Sequence, residues 1–255
     1  MVNYHPEEYW SEVALRIKSR KGKNIIAGDD EPFYRYKRKK FLRLLETIDF
    51  SNKTVLEVGC GPGGNLRYIW KTSPKRLVGA DISEEMIQLS REKLPEDIEL
   101  FKINGIKLPF KDYEFDYVFT ATVLQHNTNE KMLRELMSEI CRVCGDKVIL
   151  FERIEKRIKG DKLCYGRPIS FYKKLCEQQG FNLKTVRFIN VRVSYFISGA
   201  IRKLLNPTLR QEGEPLSKFA VMLQKITLPV TRQLDSLFKS KKDVAKLEFE
   251  RNRKI

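Results

Sequence analysis

Hydrophobic positions recur in two rhythms along this chain. In residues 7–20 and 33–48 they return every three or four positions, as in Phe33, Tyr36, Phe41, Leu44, Leu45 and Ile48, which predicts two amphipathic helices. From residue 54 the rhythm changes to short apolar runs separated by longer amphipathic stretches. Thr54–Val58, Leu77–Ala80, Ile98–Ile103, Phe115–Thr120 and Lys147–Glu152 predict strands. Helices are predicted between them, at Asn65–Lys71, at Glu84–Lys93 behind the N-cap Ser83, and at Asn129–Val143. A helix Ser170–Gln179 stopped by Gly180 and a strand Phe181–Val191 follow. This alternation predicts an α/β fold with a parallel sheet covered on both faces and ligands at the carboxyl ends of its strands.

After Val193 the alternation breaks. Phe196–Leu205 and Ser217–Leu228 predict apolar helical segments set apart by Pro207, Pro215 and Pro229, and Leu247–Arg251 predicts a closing edge strand. Residues 1–50 then form an N-terminal helical cap, 51–193 the core, 194–243 a helical insertion, and 244–255 the last strand of the core.

Composition reads as globular, with 42% hydrophobic and 11% aromatic residues. No apolar run approaches the roughly 18 residues of a membrane span, and the polar, acidic opening of the chain predicts no signal peptide. The five cysteines include Cys141-Arg142-Val143-Cys144, which has the spacing of a metal or redox site. No second pair completes a zinc shell, so buried thiols, no metal and a reducing, cytoplasmic setting are expected. The formal charge is +16 and uneven, for residues 184–255 hold 16 Lys/Arg against six Asp/Glu, a net +10. Such a surface attracts nucleic acid, anionic membrane or phosphorylated compounds, and charge alone does not choose among them.

The most informative motif is Glu57-Val58-Gly59-Cys60-Gly61-Pro62-Gly63-Gly64, between a predicted strand and helix. Residues without Cβ let backbone N–H groups and a helix N-terminus approach a ligand closely. Asp81 closes the next strand 20 positions after Gly61, where a carboxylate accepts hydrogen bonds from the ribose hydroxyls of an adenosine. Gly59, Gly61 and Gly64 also satisfy the nicotinamide-dinucleotide pattern. Glu57 argues against that ligand, because a carboxylate repels a pyrophosphate and suits an ammonium or sulfonium group.

With Val78-Gly79-Ala80-Asp81-Ile82-Ser83, Leu108-Pro109-Phe110 and Phe115-Asp116 in the same order and spacing, the chain resembles class I S-adenosylmethionine-dependent methyltransferases over about residues 52–190. The resemblance implies a Rossmann-like, doubly wound, mostly parallel seven-stranded sheet, with N-terminal helices and a helical insertion before the last strand. It implies that Glu57, Gly59, Cys60, Gly61 and Gly63, with Asn65 beside them, hold the methionine moiety. Asp81 takes the ribose, Ile82 and Met86 pack on adenine, and Asn104 and Gly105 stand at the adenine edge. Asn104 departs from the family's usual Asp, though an amide still pairs with the adenine amino group. Thr120 and Ala121 end the fourth strand beside the expected methyl position, and Tyr36 or Arg38 is a candidate for the cofactor carboxylate.

Candidates for chemistry sit on the same rim. His126, in Val123-Leu124-Gln125-His126-Asn127, is a candidate general base, with pocket lining or loop shaping as its structural alternative. Glu152, at the end of the fifth strand, is an equally placed proton acceptor, or else an ion-pair partner of Arg153 or Lys156. Tyr9, Trp10, Tyr165, Arg167 and Tyr172 are candidates for substrate contact, Arg167 toward a carboxylate or phosphate. Neither an Asn-Pro-Pro-Tyr nor a Pro-Cys motif is present, which argues against base or glutamine amines and cytosine carbon as acceptors.

The insertion admits three readings: a lid over a small substrate, a peripheral-membrane surface, or a nucleic-acid contact favoured by charge alone. Internal packing is the simplest role for its two apolar helices. The combined expectation is O-methylation of a small-molecule or saccharide-type acceptor. Its alternatives are an RNA or other polyanion methyltransferase, a catalytically silent cofactor-binding module, and a dehydrogenase.

Overall fold

The computed structural model describes residues 5–19, 31–205 and 214–252. Two helices, α1 (Pro6–Ser19) and α2 (Pro32–Leu45), precede the alternating part. There β1 (Thr54–Val58), α3 (Leu66–Trp70), β2 (Arg76–Asp81), α4 (Glu84–Arg91), β3 (Glu99–Lys102), β4 (Phe115–Ala121), α5 (Glu130–Val143) and β5 (Cys144–Ile154) follow in turn. A short hairpin, β6 (Lys159–Asp161) and β7 (Cys164–Gly166), leads into α6 (Ile169–Glu177) and β8 (Phe181–Phe188). The chain then forms α7 (Arg192–Leu205), α8 (Lys218–Leu237) and β9 (Asp243–Arg251).

The sheet runs β3-β2-β1-β4-β5-β9-β8, with β9 antiparallel to both of its neighbours and the other six strands sharing one direction. This is the mostly parallel, doubly wound, Rossmann-like sheet expected. Alternation along the strands explains its two-sided burial. Leu56, Val118, Val148 and Leu150 join α5 and α6 in one apolar cluster, while Val55, Phe119, Ile149 and Phe151 join α2 and α3 in the other. Strand order reverses between β1 and β4, which opens a crevice at their carboxyl ends. Val58 is in register with both Ala80 and Thr120, so the segments after β1, β2 and β4 emerge on one rim.

Three features differ from expectation. The hairpin β6–β7, with a polar, exposed first strand and a half-buried second one, is too short to carry a periodic signal and was not anticipated. α8 continues through Pro229 rather than stopping there. Pro229 and the preceding turn at Lys225 are exposed, so the carbonyl that loses its helical partner lies on a side of the helix open to solvent. Third, α7 and α8 leave most of their large apolar side chains exposed; apart from Ala220 and Leu228, they pack through polar side chains. Asp235 Oδ1 accepts from the backbone N–H of Val193 (2.7 Å) and Ser194 (3.2 Å), and Oδ2 from Ser194 Oγ (2.6 Å) and Tyr36 Oη (3.1 Å), joining α2, α7 and α8. Pro207 lies outside the described residues. Cys141, Cys144 and Cys176 are buried free thiols, and the described residues contain no metal-binding cluster.

Candidate functional site

The glycine turn after β1 is stapled to the end of β2. The N–H groups of Gly59 and Cys60 both donate to Ala80 O (2.7 and 3.1 Å), and Gly61 N donates to Asp81 Oδ2 (2.8 Å). Gly59 has φ +74°, and a Cβ there would stand 2.2 Å from Val123 Cγ2, so both backbone and space demand glycine. Gly63, at φ +81°, would meet Leu94 Cδ1 at 2.6 Å. The Cys60 side chain turns inward beside Gly79, and burial pushes its thiol well above the usual range, so it is an inert wall.

Two buried carboxylates flank this turn. Glu57 is fully buried; Oε1 accepts from Asn65 Nδ2 (2.5 Å), and Oε2 has no hydrogen-bond partner. Arg38 Nη1 in turn donates to Asn65 Oδ1, making a chain from guanidinium to amide to carboxylate. Burial raises the Glu57 carboxyl to about 8, against the opposing effects of Asn65 and Arg38. An orphaned, desolvated carboxylate oxygen beside a glycine turn fits a cationic ligand group such as an α-ammonium. Asp81 is also buried and raised, chiefly by desolvation; its oxygens each accept one backbone N–H, from Gly61 and from Ser83 (2.9 Å). Each oxygen keeps a second lone pair for a vicinal diol.

The crevice beyond the turn is lined by Pro6, Trp10, Val58, Gly59, Ile82, Ile103, Gly105, Val123, His126 and Asn127, together with Met132 and Leu136 of α5. α1 roofs it. Trp10 stands edge-on to His126 (centroids 5.0 Å apart) and to Tyr9 (5.2 Å), and Lys102 bonds Glu7 at 2.6 Å. Among the described residues lining the crevice, His126 is the one titratable side chain. Its Nδ1 lies 3.0 Å from Leu163 O and its Nε2 3.1 Å from Gln125 Nε2. Because a carbonyl only accepts, Nδ1 carries the proton and Nε2 keeps the lone pair. The Gln125 amide is oriented by its own oxygen, which accepts Arg153 N (3.1 Å).

Glu152 and Arg167 take roles different from those expected. Glu152 is fully buried and pairs with neither Arg153 nor Lys156. Its Oε1 accepts from Thr120 Oγ1 (2.8 Å), Val123 N and Leu124 N (both 3.1 Å), and its Oε2 from Gln125 N (3.0 Å). Burial raises its pKa against these four donors. Arg167 is equally buried and donates to Leu124 O (2.8 Å) and Asn127 O (2.7 Å). The two side chains therefore hold the backbone of loop 122–127, the loop that presents His126. At its start, Thr122 adopts φ +60°, a strained conformation held by these contacts.

The remaining expected residues divide. Ile82 and Gly105 line the crevice, whereas Met86 is buried under α1 against Val13, Ala14 and Ile17, because α1 covers the face where adenine packing was expected. Asn104 is exposed and its Oδ1 already accepts Ile106 N (3.0 Å) and Lys107 N (2.8 Å), so it offers an adenine its Nδ2 donor rather than an acceptor. Thr120 points to Glu152, and Ala121 is half-buried at the rim. Tyr36 turns away from the glycine turn: its hydroxyl bonds Asp235, and its ring faces Lys40 and Arg232. Tyr172 is wholly buried, and Tyr165 is half-buried with its N–H on Gln125 O (2.7 Å). Sequence reasoning missed Gln125 and Val123, whose signal is their place in the same short post-strand loop as His126.

Known proteins give a concordant picture. The sequence model of a family described as methyltransferase domain matches residues 55–147. The chain is 32% identical over 131 residues to the tRNA U34 carboxymethyltransferase of Nautilia profundicola, covering 49% of this chain and 42% of that protein. It is 32% identical over 143 residues to the demethylmenaquinone methyltransferase of Bacillus cytotoxicus, covering 52% and 58%. The solved structure of magnesium protoporphyrin IX methyltransferase from Synechocystis with bound S-adenosylhomocysteine shares the fold, with a TM-score of 0.58 at 15% identity over 96% of this chain and 98% of that one. The chain spans about half the length of the curated relatives it matches.

Proposed function

We propose that this chain, whose core belongs to the class I S-adenosylmethionine-dependent methyltransferase family, is an enzyme that methylates an oxygen of a small-molecule or saccharide-type acceptor. The observation that carries the cofactor reading is the orphaned Glu57 Oε2 beside the glycine turn, with Asp81 at the end of the neighbouring strand. When bound, S-adenosylmethionine supplies an electrophilic methyl group on a good leaving group. Glu57 holds its ammonium and Asp81 its ribose hydroxyls. Ile82, Ile103 and Gly105 enclose the base, and Trp10 with α1 excludes water from above. His126 Nε2 takes the acceptor's proton once the Gln125 amide gives way, and Leu163 O steadies the imidazolium through Nδ1. Five free cysteines support a reducing, cytoplasmic setting.

The formal charge of +16 and the tRNA-directed name of one relative favour a second reading, an RNA methyltransferase. The two separate in one experiment. Purified protein is incubated with methyl-labelled S-adenosylmethionine and either a small-molecule extract or total RNA. Label in the small-molecule fraction, removed with His126→Ala, supports the proposal; label in RNA alone replaces it with the second reading. A thermal shift with NAD larger than that with S-adenosylhomocysteine overturns the cofactor assignment itself.

A further inference from the structure

The helices α7 and α8 are amphipathic with the apolar side turned outward. α8 buries Ala220, Gln224, Leu228, Thr231 and Asp235, three of the five polar. Five of its large apolar side chains face solvent instead: Phe219, Met222, Ile226 (62% exposed), Val230 and Leu237 (73% exposed). At about 100° per residue these five fall within an arc of roughly 80° on the side away from the buried face, and they extend about 27 Å along the axis. α7 repeats the arrangement, burying Ser194 and Ser198 while Phe196 and Leu204 (81% exposed) project outward.

The charges beside this stripe have one sign. Lys218, Lys225 and Arg232 recur every seven residues and form a row along one flank of it. Asp235 is the one acid on the two helices, and it is buried under four donors. The groove between α2 and α8 continues the row, collecting Lys39, Lys40 and Arg43 beside Arg232. A second copy of the chain docked on this stripe would bring two such cationic rows together, so charge disfavours self-association there. No helix among the described residues is long and apolar enough to cross a membrane. An outward apolar stripe bordered by lysines and arginines is instead the pattern of a helix lying in a lipid–water interface.

We propose that α7 and α8 form a docking surface for an anionic phospholipid bilayer, the apolar stripe entering the headgroup–acyl boundary and the cationic row meeting lipid phosphates. The inference stands independently of which acceptor is methylated. Flotation of the full chain with phosphatidylcholine vesicles, with or without phosphatidylglycerol, tests it. The protein is expected to float with the anionic vesicles alone and to be released by salt. Ile226→Asp with Val230→Asp abolishes flotation, and Lys218→Glu with Lys225→Glu weakens it by about tenfold or more. These side chains are exposed, so the variants keep the wild-type melting temperature and the thermal shift with S-adenosylhomocysteine. Wild-type protein that stays with the aqueous phase at low salt overturns the proposal. So does a concentration-dependent dimer, seen by light scattering, that Ile226→Asp dissolves and that accounts for the stripe without lipid.

Discussion

Asn65 Nδ2 donates to one oxygen of the Glu57 carboxylate at 2.5 Å, and the other oxygen of that buried group meets no donor. In the proposed cofactor site the amide fixes the carboxylate and leaves one acceptor for a ligand. Glu57→Gln keeps the size and the Asn65 contact but removes the charge. Its affinity for S-adenosylhomocysteine, measured by titration calorimetry, is expected to fall by roughly ten- to a hundredfold, the worth of a charge-assisted hydrogen bond. The ligand-free melting temperature should change little. Unchanged affinity would remove Glu57 from the cofactor site.

The same residue predicts a pH dependence. Burial raises Glu57 to about 8 in the ligand-free protein, so near neutrality it is largely protonated. A bound ammonium favours the carboxylate, so binding below that pH releases a proton and affinity climbs as pH rises toward 8. Above it the free ligand's own α-amino group, with a reference pKa of about 7.7–8.0, loses its proton and the gain stops. For the ligand-free fold the sign is opposite: a raised carboxyl contributes stability at low pH that is lost as pH rises through the interval from its ordinary value to about 8. Calorimetry in two buffers of different ionisation enthalpy reads the proton directly. Glu57→Gln should flatten the rising limb.

What was legible in the sequence follows from the range of the interactions involved. Gly59, Asp81 and Glu57 obey local rules, namely a left-handed turn, a strand end and a charge beside a turn, and the structure sets them on one rim. Glu152 follows no such rule. A carboxylate at a strand end reads alike whether it faces a substrate or, as here, a loop some 30 residues away in sequence. The loop contacts of Arg167 are invisible for the same reason, because its two carbonyl partners lie about 40 residues upstream. The apolar periodicity of α7 and α8 was visible, but periodicity says that a helix has an apolar face without saying which way it points.

Glu152 tests whether the buried carboxylate does chemistry or holds shape. Glu152→Ala strands Thr120 Oγ1 and three backbone N–H groups, an expected loss of about 3–5 kcal/mol. Thermal denaturation should show that loss as a lower melting temperature, with faster amide exchange in residues 122–127. A general base would behave differently, with Glu152→Gln collapsing kcat at an unchanged melting temperature.

His126 carries the remaining step. Leu163 O fixes the tautomer, Trp10 stands edge-on to the ring, and Glu152 with Arg167 holds the loop, so that His126 lines the crevice with Nε2 accepting from the Gln125 amide. If that nitrogen takes the acceptor's proton, His126→Ala lowers kcat by roughly 10²- to 10⁴-fold, while acceptor KM and cofactor affinity stay within about twofold. His126→Gln separates this from a packing role, because glutamine can donate to Leu163 O and fill much of the ring's volume but cannot accept a proton at neutral pH. A loop peg would be rescued by glutamine and a base would not. Steady-state kinetics of the two variants side by side, with circular dichroism to confirm the fold, decides between them, and recovery of wild-type kcat in His126→Gln would leave the reaction to an acceptor that needs no base.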